Sequence, residues 1–294
     1  MIPDTRVAVI GLGLMGGSLA RALAARGVRV LGYDSNWEHL AAAVRDGMVH
    51  EELDSGLVGL ETAEVVLLAV PVSATVSLLS RIAPHVGNAR LIMDVASTKR
   101  TIIVAAEAAG IGARYVGAHP LTGSHRSGWG ASRASLFEDA RVFLCPTTHT
   151  TPETLQLAES FWRELRAGVE LLDALSHDEQ MAWRSHLPHL LSSALAVTLR
   201  DAGVRRSALG PGGRDMTRLA GGSTAMWSAI VADNGPAIVD ALSACEQRLG
   251  ALREALLRGD AEAVRDFLRS GSEWFDGEPG ALATPAEPLT SSRA

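Results

Sequence analysis

The chain has almost no lysine. It carries 26 arginines and a single lysine, Lys99, against 33 acidic residues, for a formal net charge of -6. No broad basic face can be built from that balance. This argues against a general nucleic-acid binder or a protein held on an anionic membrane surface. An anionic ligand must instead be caught by local arginines. The bias also singles out Lys99, because this chain otherwise uses arginine wherever a cation is needed.

Cysteine is equally sparse. Cys145 and Cys245 each sit in an apolar segment and read as buried free thiols rather than a disulfide or a nucleophile. No apolar run reaches membrane-spanning length, and no charged-then-apolar leader opens the chain, so a soluble cytoplasmic protein is expected. What is present is an ordinary globular composition, 47% hydrophobic and 20% charged over 294 residues, enough for about two domains.

The first half alternates β-branched runs with helical stretches. Residues 7–10, 28–33, 65–69, 91–95, 115–118 and 141–146 read as strands, with 169–172 a weaker seventh. Helical stretches such as 18–25 and 101–109 lie between them. This alternation predicts a Rossmann-type, doubly wound, mostly parallel α/β sheet over residues 1–173. From residue 174 the texture becomes all-α. Ser176 and Glu179 fit a capping box opening a helix that runs to about residue 199 and bends at Pro188. Further helices are expected at 215–219, 224–232, 236–257 and 260–269. Residues 174–275 thus form a second, helical domain, and 276–294, rich in Pro, Gly, Ser and Thr, read as a disordered tail.

Gly11-Leu12-Gly13-Leu14-Met15-Gly16 follows the first strand and opens the first helix. In such a loop the first glycine makes the tight turn, the second admits a pyrophosphate, and the third lets helix and strand pack closely. Asp34 ends the second strand, where a carboxylate accepts from ribose hydroxyls and repels a 2′-phosphate. Ser35 and Asn36 follow rather than an arginine, so NAD is favoured over NADP. Val70 and Pro71, behind the third predicted strand, join the expected cofactor contacts. A purely structural glycine turn is the alternative.

His119 stands behind the apolar run 115–118, where open α/β sheets bind their ligands. Pro120 biases it toward an extended backbone, and a neutral imidazole there can accept a proton. Thr122, Gly123 and Ser124 flank it. On the helical side, His186 and His189 lie three apart on one face. No carboxylate or thiol completes a zinc ligand set, so no metal is expected. Arg214 and Arg218, four apart, suit bidentate carboxylate binding, with a surface salt-bridge cluster as the plain alternative.

Several of these segments resemble the prephenate/arogenate dehydrogenase family. The resemblance rests on the glycine loop, on Asp94-x-x-Ser97-x-Lys99, on His119-Pro120-x-x-Gly123-Ser124-x-x-Ser127-Gly128, on Ser185-His186-x-Pro188-His189, and on Arg214-Asp215-x-Thr217-Arg218. It implies an NAD-dependent enzyme that converts prephenate to 4-hydroxyphenylpyruvate in tyrosine biosynthesis; the long apolar helices of the second domain separately predict a homodimer. His119 would then be the catalytic base. Ser97 would hold the reacting hydroxyl beside cofactor and substrate, although it could equally cap a helix. Lys99 would join the cofactor contacts, or be a solvated cation at a helix start. His186, His189, Arg214 and Arg218 would bind substrate.

The pattern departs from the family at His125, where an acid is common, at Thr122 and at Gly213. All three touch the substrate end, so arogenate or 4-amino-4-deoxyprephenate stays open as substrate. The loop also resembles β-hydroxyacid dehydrogenases, but their catalytic lysine has no counterpart after Lys99. A non-catalytic NAD-sensing module is the remaining alternative.

Overall fold

The computed structural model describes residues 5–123 and 126–277. Eight strands form one sheet: β1 (Arg6–Ile10), β2 (Arg29–Tyr33), β3 (Glu51–Glu52), β4 (Val65–Leu68), β5 (Leu91–Asp94), β6 (Tyr115–Pro120), β7 (Arg141–Pro146) and β8 (Gly168–Leu171). Their order is β3-β2-β1-β4-β5-β6-β7-β8. Every neighbouring pair is parallel except β6 and β7. The seven expected strands are all present. The addition, β3, is a two-residue edge strand, too short to leave a pattern.

Five helices link the strands: α1 (Leu14–Ala24), α2 (Trp37–Arg45), α3 (Val72–Ile82), α4 (Arg100–Ala108) and α5 (Pro152–Glu164). They cover both faces of the sheet, so its central strands are apolar on both sides and read as continuous runs. In β1, Val7 and Val9 enter a core with Leu19 and Leu23 of α1 and Phe161 and Trp162 of α5. Ala8 and Ile10 enter the other, with Leu79 of α3 and Ile102 of α4. Each large apolar side chain so buried contributes roughly 1.5–3 kcal/mol.

Strand β6 runs further than the apolar pattern suggests. His119 and Pro120 remain in it, opposite Phe143 and Val142 of β7. The imidazole is therefore carried by a paired strand rather than by a loop.

After β8 come α6 (Ala174–Met181), a π-helical turn (Ala182–His186) and α7 (Leu187–Asp201). The capping box expected at Ser176 is not formed. Asp173 is the N-cap, its carboxylate accepting from the Ser176 N–H at 2.9 Å. The helix thus begins three residues earlier and takes His177 and Asp178 inside. The expected bend is the π turn. Pro188 has no N–H to give the Arg184 carbonyl, and the widened turn falls just before it.

The remaining helices are α8 (Pro211–Met216), α9 (Thr224–Asp233), α10 (Gly235–Arg258) and α11 (Ala261–Asp276). The chain divides into two compact units, one ending at Val239 and one beginning at Asp240. All candidate site residues belong to the first. The second carries exposed Leu249, Leu256, Leu257, Leu268, Trp274 and Phe275. The tail expected to be disordered lies, from residue 278, outside the described residues. No described helix is long and apolar enough to cross a membrane.

Candidate active site

The carboxyl ends of β1, β2, β4, β5 and β6 carry the site residues. At β1, Gly11 has φ +93°, a conformation that favours glycine. A Cβ there would press on Ala69 and Val70, and a Cβ on Gly16 would collide with the Gly11 carbonyl. Gly13 has no atom within 4 Å of its Cβ position. Two glycines thus allow close packing, and the middle one borders open space. Gly13 caps α1 without a side-chain bond, and Leu14 and Met15 follow half-buried, so N–H groups of the first turn are left for an anion.

Asp34 ties the loop to β2. Its Oδ2 accepts from the Leu12 N–H at 2.6 Å and its Oδ1 from the Asn36 N–H at 2.8 Å. Oδ2 also lies 3.4 Å from His39 Nδ1, while Oδ1 keeps a lone pair for a ligand hydroxyl. Pro71, next to Val70, begins α3, again with no side-chain cap. These features fit a dinucleotide, pyrophosphate on α1 and ribose on Asp34.

Lys99 is not where a cofactor contact or a solvated cation would be. Its ammonium is wholly buried and paired with Asp94, which is also buried and accepts from the Tyr115 hydroxyl at 2.6 Å. A Cβ on Gly117 would come within 3.0 Å of Lys99 Cδ. Gly117, lacking a Cβ, thus leaves room for the lysine stem beside β6.

Ser97 does not cap α4; the N-cap is Lys99. The N–H groups of Lys99 and Arg100 go instead to Asp178 of α6, at 2.8 and 2.9 Å. The half-buried Ser97 hydroxyl makes no hydrogen bond among the described residues and remains available to a ligand.

Asp178 also starts a chain of imidazoles. His177 Nδ1 lies 2.7 Å from Asp178 Oδ1, and His177 Nε2 lies 2.9 Å from His119 Nδ1. An ionised carboxylate only accepts, so His177 carries its proton on Nδ1 and presents a lone pair at Nε2. That lone pair requires a proton on His119 Nδ1, which leaves His119 Nε2 bare. Burial lowers the pKa of His119 well below its ordinary value, and the neighbouring positive forms of His177 and Lys99 act in the same direction. Burial lowers that of His177 too, against the raising effect of Asp178. Burial thus favours the neutral form of both rings.

The helical wall brings His186 and His189 together as expected. Both pack on Trp227, with ring centroids 6.0 and 3.5 Å away, the latter stacked. Asn234 donates to His186 Nδ1 at 3.1 Å and to the Asp178 carbonyl at 2.7 Å. Burial lowers His186 to about 4 and also lowers His189.

Arg214 and Arg218 do not share a helix face, because α8 ends at Met216 and Arg218 stands on the following turn. Both are exposed. The two glycines ahead of Arg214, Gly212 and Gly213, are poor helix formers, so α8 stays short.

A cavity of about 330 Å³ opens beside His119, lined by Pro120, Leu121, Thr122, Met181, Arg184 and Ser185. The Thr122 hydroxyl donates to the Leu136 carbonyl at 3.1 Å. Gly123 is exposed, while Ser124 and His125 lie outside the described residues. His177, Asp178 and Arg184 went unrecognised in the sequence: the first two were absorbed by the capping-box pattern, and Arg184 is one arginine among 26.

A family model described as prephenate dehydrogenase, nucleotide-binding domain, matches residues 19–171, and one described as prephenate dehydrogenase, dimerization domain, matches 173–270. The prephenate dehydrogenase of Bacillus subtilis is 32% identical over 284 residues, 93% of this chain and 76% of that protein. The structure of prephenate dehydrogenase from A. aeolicus in complex with hydroxyphenyl propionate and NAD+ superposes with a TM-score of 0.85 at 28% identity, covering 94% of this chain and 99% of that one. Synechocystis arogenate dehydrogenase gives 0.79 at 29% identity, covering 92% and 99%.

Proposed function

The chain belongs to the prephenate dehydrogenase family, and on that footing we propose that it oxidatively decarboxylates prephenate to 4-hydroxyphenylpyruvate, with NAD as cofactor, for tyrosine biosynthesis. The observation that carries this reading is the fixed order of donors from Asp178 through His177 to His119. It delivers an unprotonated Nε2 beside the cavity.

When bound, NAD supplies the hydride acceptor; Gly11, Gly13, Leu14, Met15, Gly16, Asp34, Val70 and Pro71 would hold it. His119 Nε2 takes the proton of the ring hydroxyl as the carbinol carbon is oxidised, and the Ser97 hydroxyl holds the same oxygen. The resulting dienone accepts the electron pair of the breaking bond to the ring carboxylate, which leaves as carbon dioxide. The ring oxygen then recovers the proton from His119, and the ring is aromatic. His177 and Asp178 act through His119: they fix its tautomer and ring orientation and stabilise it while it carries the proton, as the aspartate does in a hydrolase triad.

Thr122, Gly123 and Ser124 would form the wall behind His119, and His186, His189, Arg214 and Arg218 would meet the substrate from the helical side. A division near residue 173 into a nucleotide domain and a helical domain is supported by the two matched segments. A homodimer is supported by the description of the second and by the exposed apolar residues of α10 and α11. Two free cysteines accord with the reducing cytoplasm.

The test is NADH formation with prephenate and with arogenate. Turnover of prephenate is expected. Bound NAD with turnover of neither compound would overturn the proposal.

A further inference from the structure

Arg184 lies on the π-helical turn Ala182–His186, between Met181 and Ser185, and lines the same cavity as His119. The Arg184 side chain is exposed, and its guanidinium makes no ion pair or hydrogen bond among the described residues, so it is open to a ligand entering the cavity. Arg21 of α1, by contrast, bonds Ser132 and Asp46 and lies over the Trp129 ring. No carboxylate is among the described lining residues of the cavity. Among the described lining residues the charged group is thus a cation, and the oxygens that could meet an ammonium group are neutral hydroxyls and carbonyls. At about 330 Å³ the cavity is of the size that takes a small organic ligand.

The substrate class proposed above carries two carboxylates with different fates. The ring carboxylate must shed its charge as it leaves, and a cation fixed on it would hold the charge in place and slow that step. The side-chain carboxylate keeps its charge throughout, so a cation there binds ground state and transition state alike. We infer that Arg184 is a specificity residue: it captures the side-chain carboxylate and biases the site toward the keto-acid dianion over the zwitterionic amino acid of the same skeleton. This rests on the reading of the site as a prephenate dehydrogenase.

The experiment compares wild type with Arg184→Gln and Arg184→Lys, each checked for native circular dichroism. Arg184→Gln is expected to raise KM for prephenate about 10- to 100-fold, the usual worth of a charge-assisted hydrogen bond, with kcat within about threefold. The prephenate-over-arogenate ratio of kcat/KM should fall at least about tenfold. Lysine should restore part of both, since it keeps the charge and loses the planar fork. Wild-type KM should rise with salt more steeply than that of the glutamine variant. An unchanged KM and ratio in Arg184→Gln would overturn the inference.

Calorimetric binding of 4-hydroxyphenylpropionate, which has only the side-chain carboxylate, separates this inference from the reading beneath it. If wild type turns over neither substrate, the prephenate reading fails. The role of Arg184 then stands if Arg184→Gln weakens this ligand about tenfold or more. It falls if the two proteins bind it equally or neither binds it.

Discussion

His119 Nδ1 faces His177 Nε2 at 2.9 Å, inside a buried site where burial lowers the pKa of both rings. That contact decides which nitrogen of His119 is basic, and its sense is set from Asp178. In Asp178→Asn an amide replaces the acceptor-only carboxylate, and the order of donors is no longer imposed. The expected result is a kcat loss on the order of 10²-fold or more, by analogy with tautomer control in hydrolase triads, with NAD affinity within about threefold. Stopped-flow NADH formation and a fluorescence titration of NAD check this. Since Asp178 also holds the start of α4, a fall in Tm is expected as well. His177→Asn leaves those α4 bonds in place and should lose kcat with a smaller change in Tm.

The glycine loop separates packing from ligand approach. Gly16→Ala drives a Cβ into the Gly11 carbonyl and should lower Tm markedly or prevent folding. Gly13 has an ordinary φ of -69° and open space at its Cβ position. Gly13→Ala is therefore expected to fold with Tm within a few degrees of wild type, yet to bind NAD at least about tenfold more weakly. Thermal melts with and without NAD distinguish the two.

The buried pair of Lys99 and Asp94 makes a third expectation. Removing one member leaves an uncompensated charge inside, typically a cost of about 3–5 kcal/mol. Lys99→Met should fall in that range by urea unfolding. Lys99→Arg should also be destabilised, because Gly117 packs closely on the lysine stem. Lys99→Arg as stable as wild type would show that this buried position accepts a guanidinium.

Acid should unfold the protein early. His119, His177, His186 and His189 all have lowered pKa values in the folded chain. The unfolded chain therefore binds more protons once pH drops below about 6.5, the ordinary histidine value. Stability is present above that pH and declines as pH falls, continuing for His186 to about 4. Denaturant midpoints between pH 4 and 8 should show that slope. Replacing His186 by Asn, which carries no titratable proton, should flatten it.

Most of the fold was legible because the sheet is buried on both faces, so each strand is a short apolar run closed by a loop residue. The site was legible where a residue type stands at a strand end, as Gly11, Asp34, Ser97 and His119 do. It was not legible where a role depends on contact across elements. His177 and Asp178 looked like the start of a helix because Ser176 and Glu179 fit a cap, whereas Asp173 holds that position. Lys99 stood out by its rarity, but only the fold shows that it points inward to Asp94. Arg218 was expected on a helix that ends two residues before it.

The proposed reaction turns on His119 accepting the substrate proton. Its most direct test is His119→Asn, measured in one preparation for kcat with prephenate and for NAD affinity. A kcat lower by about 10³-fold or more, with NAD affinity within about threefold of wild type, is the expected result. Retention of kcat within tenfold would show that another group takes the proton.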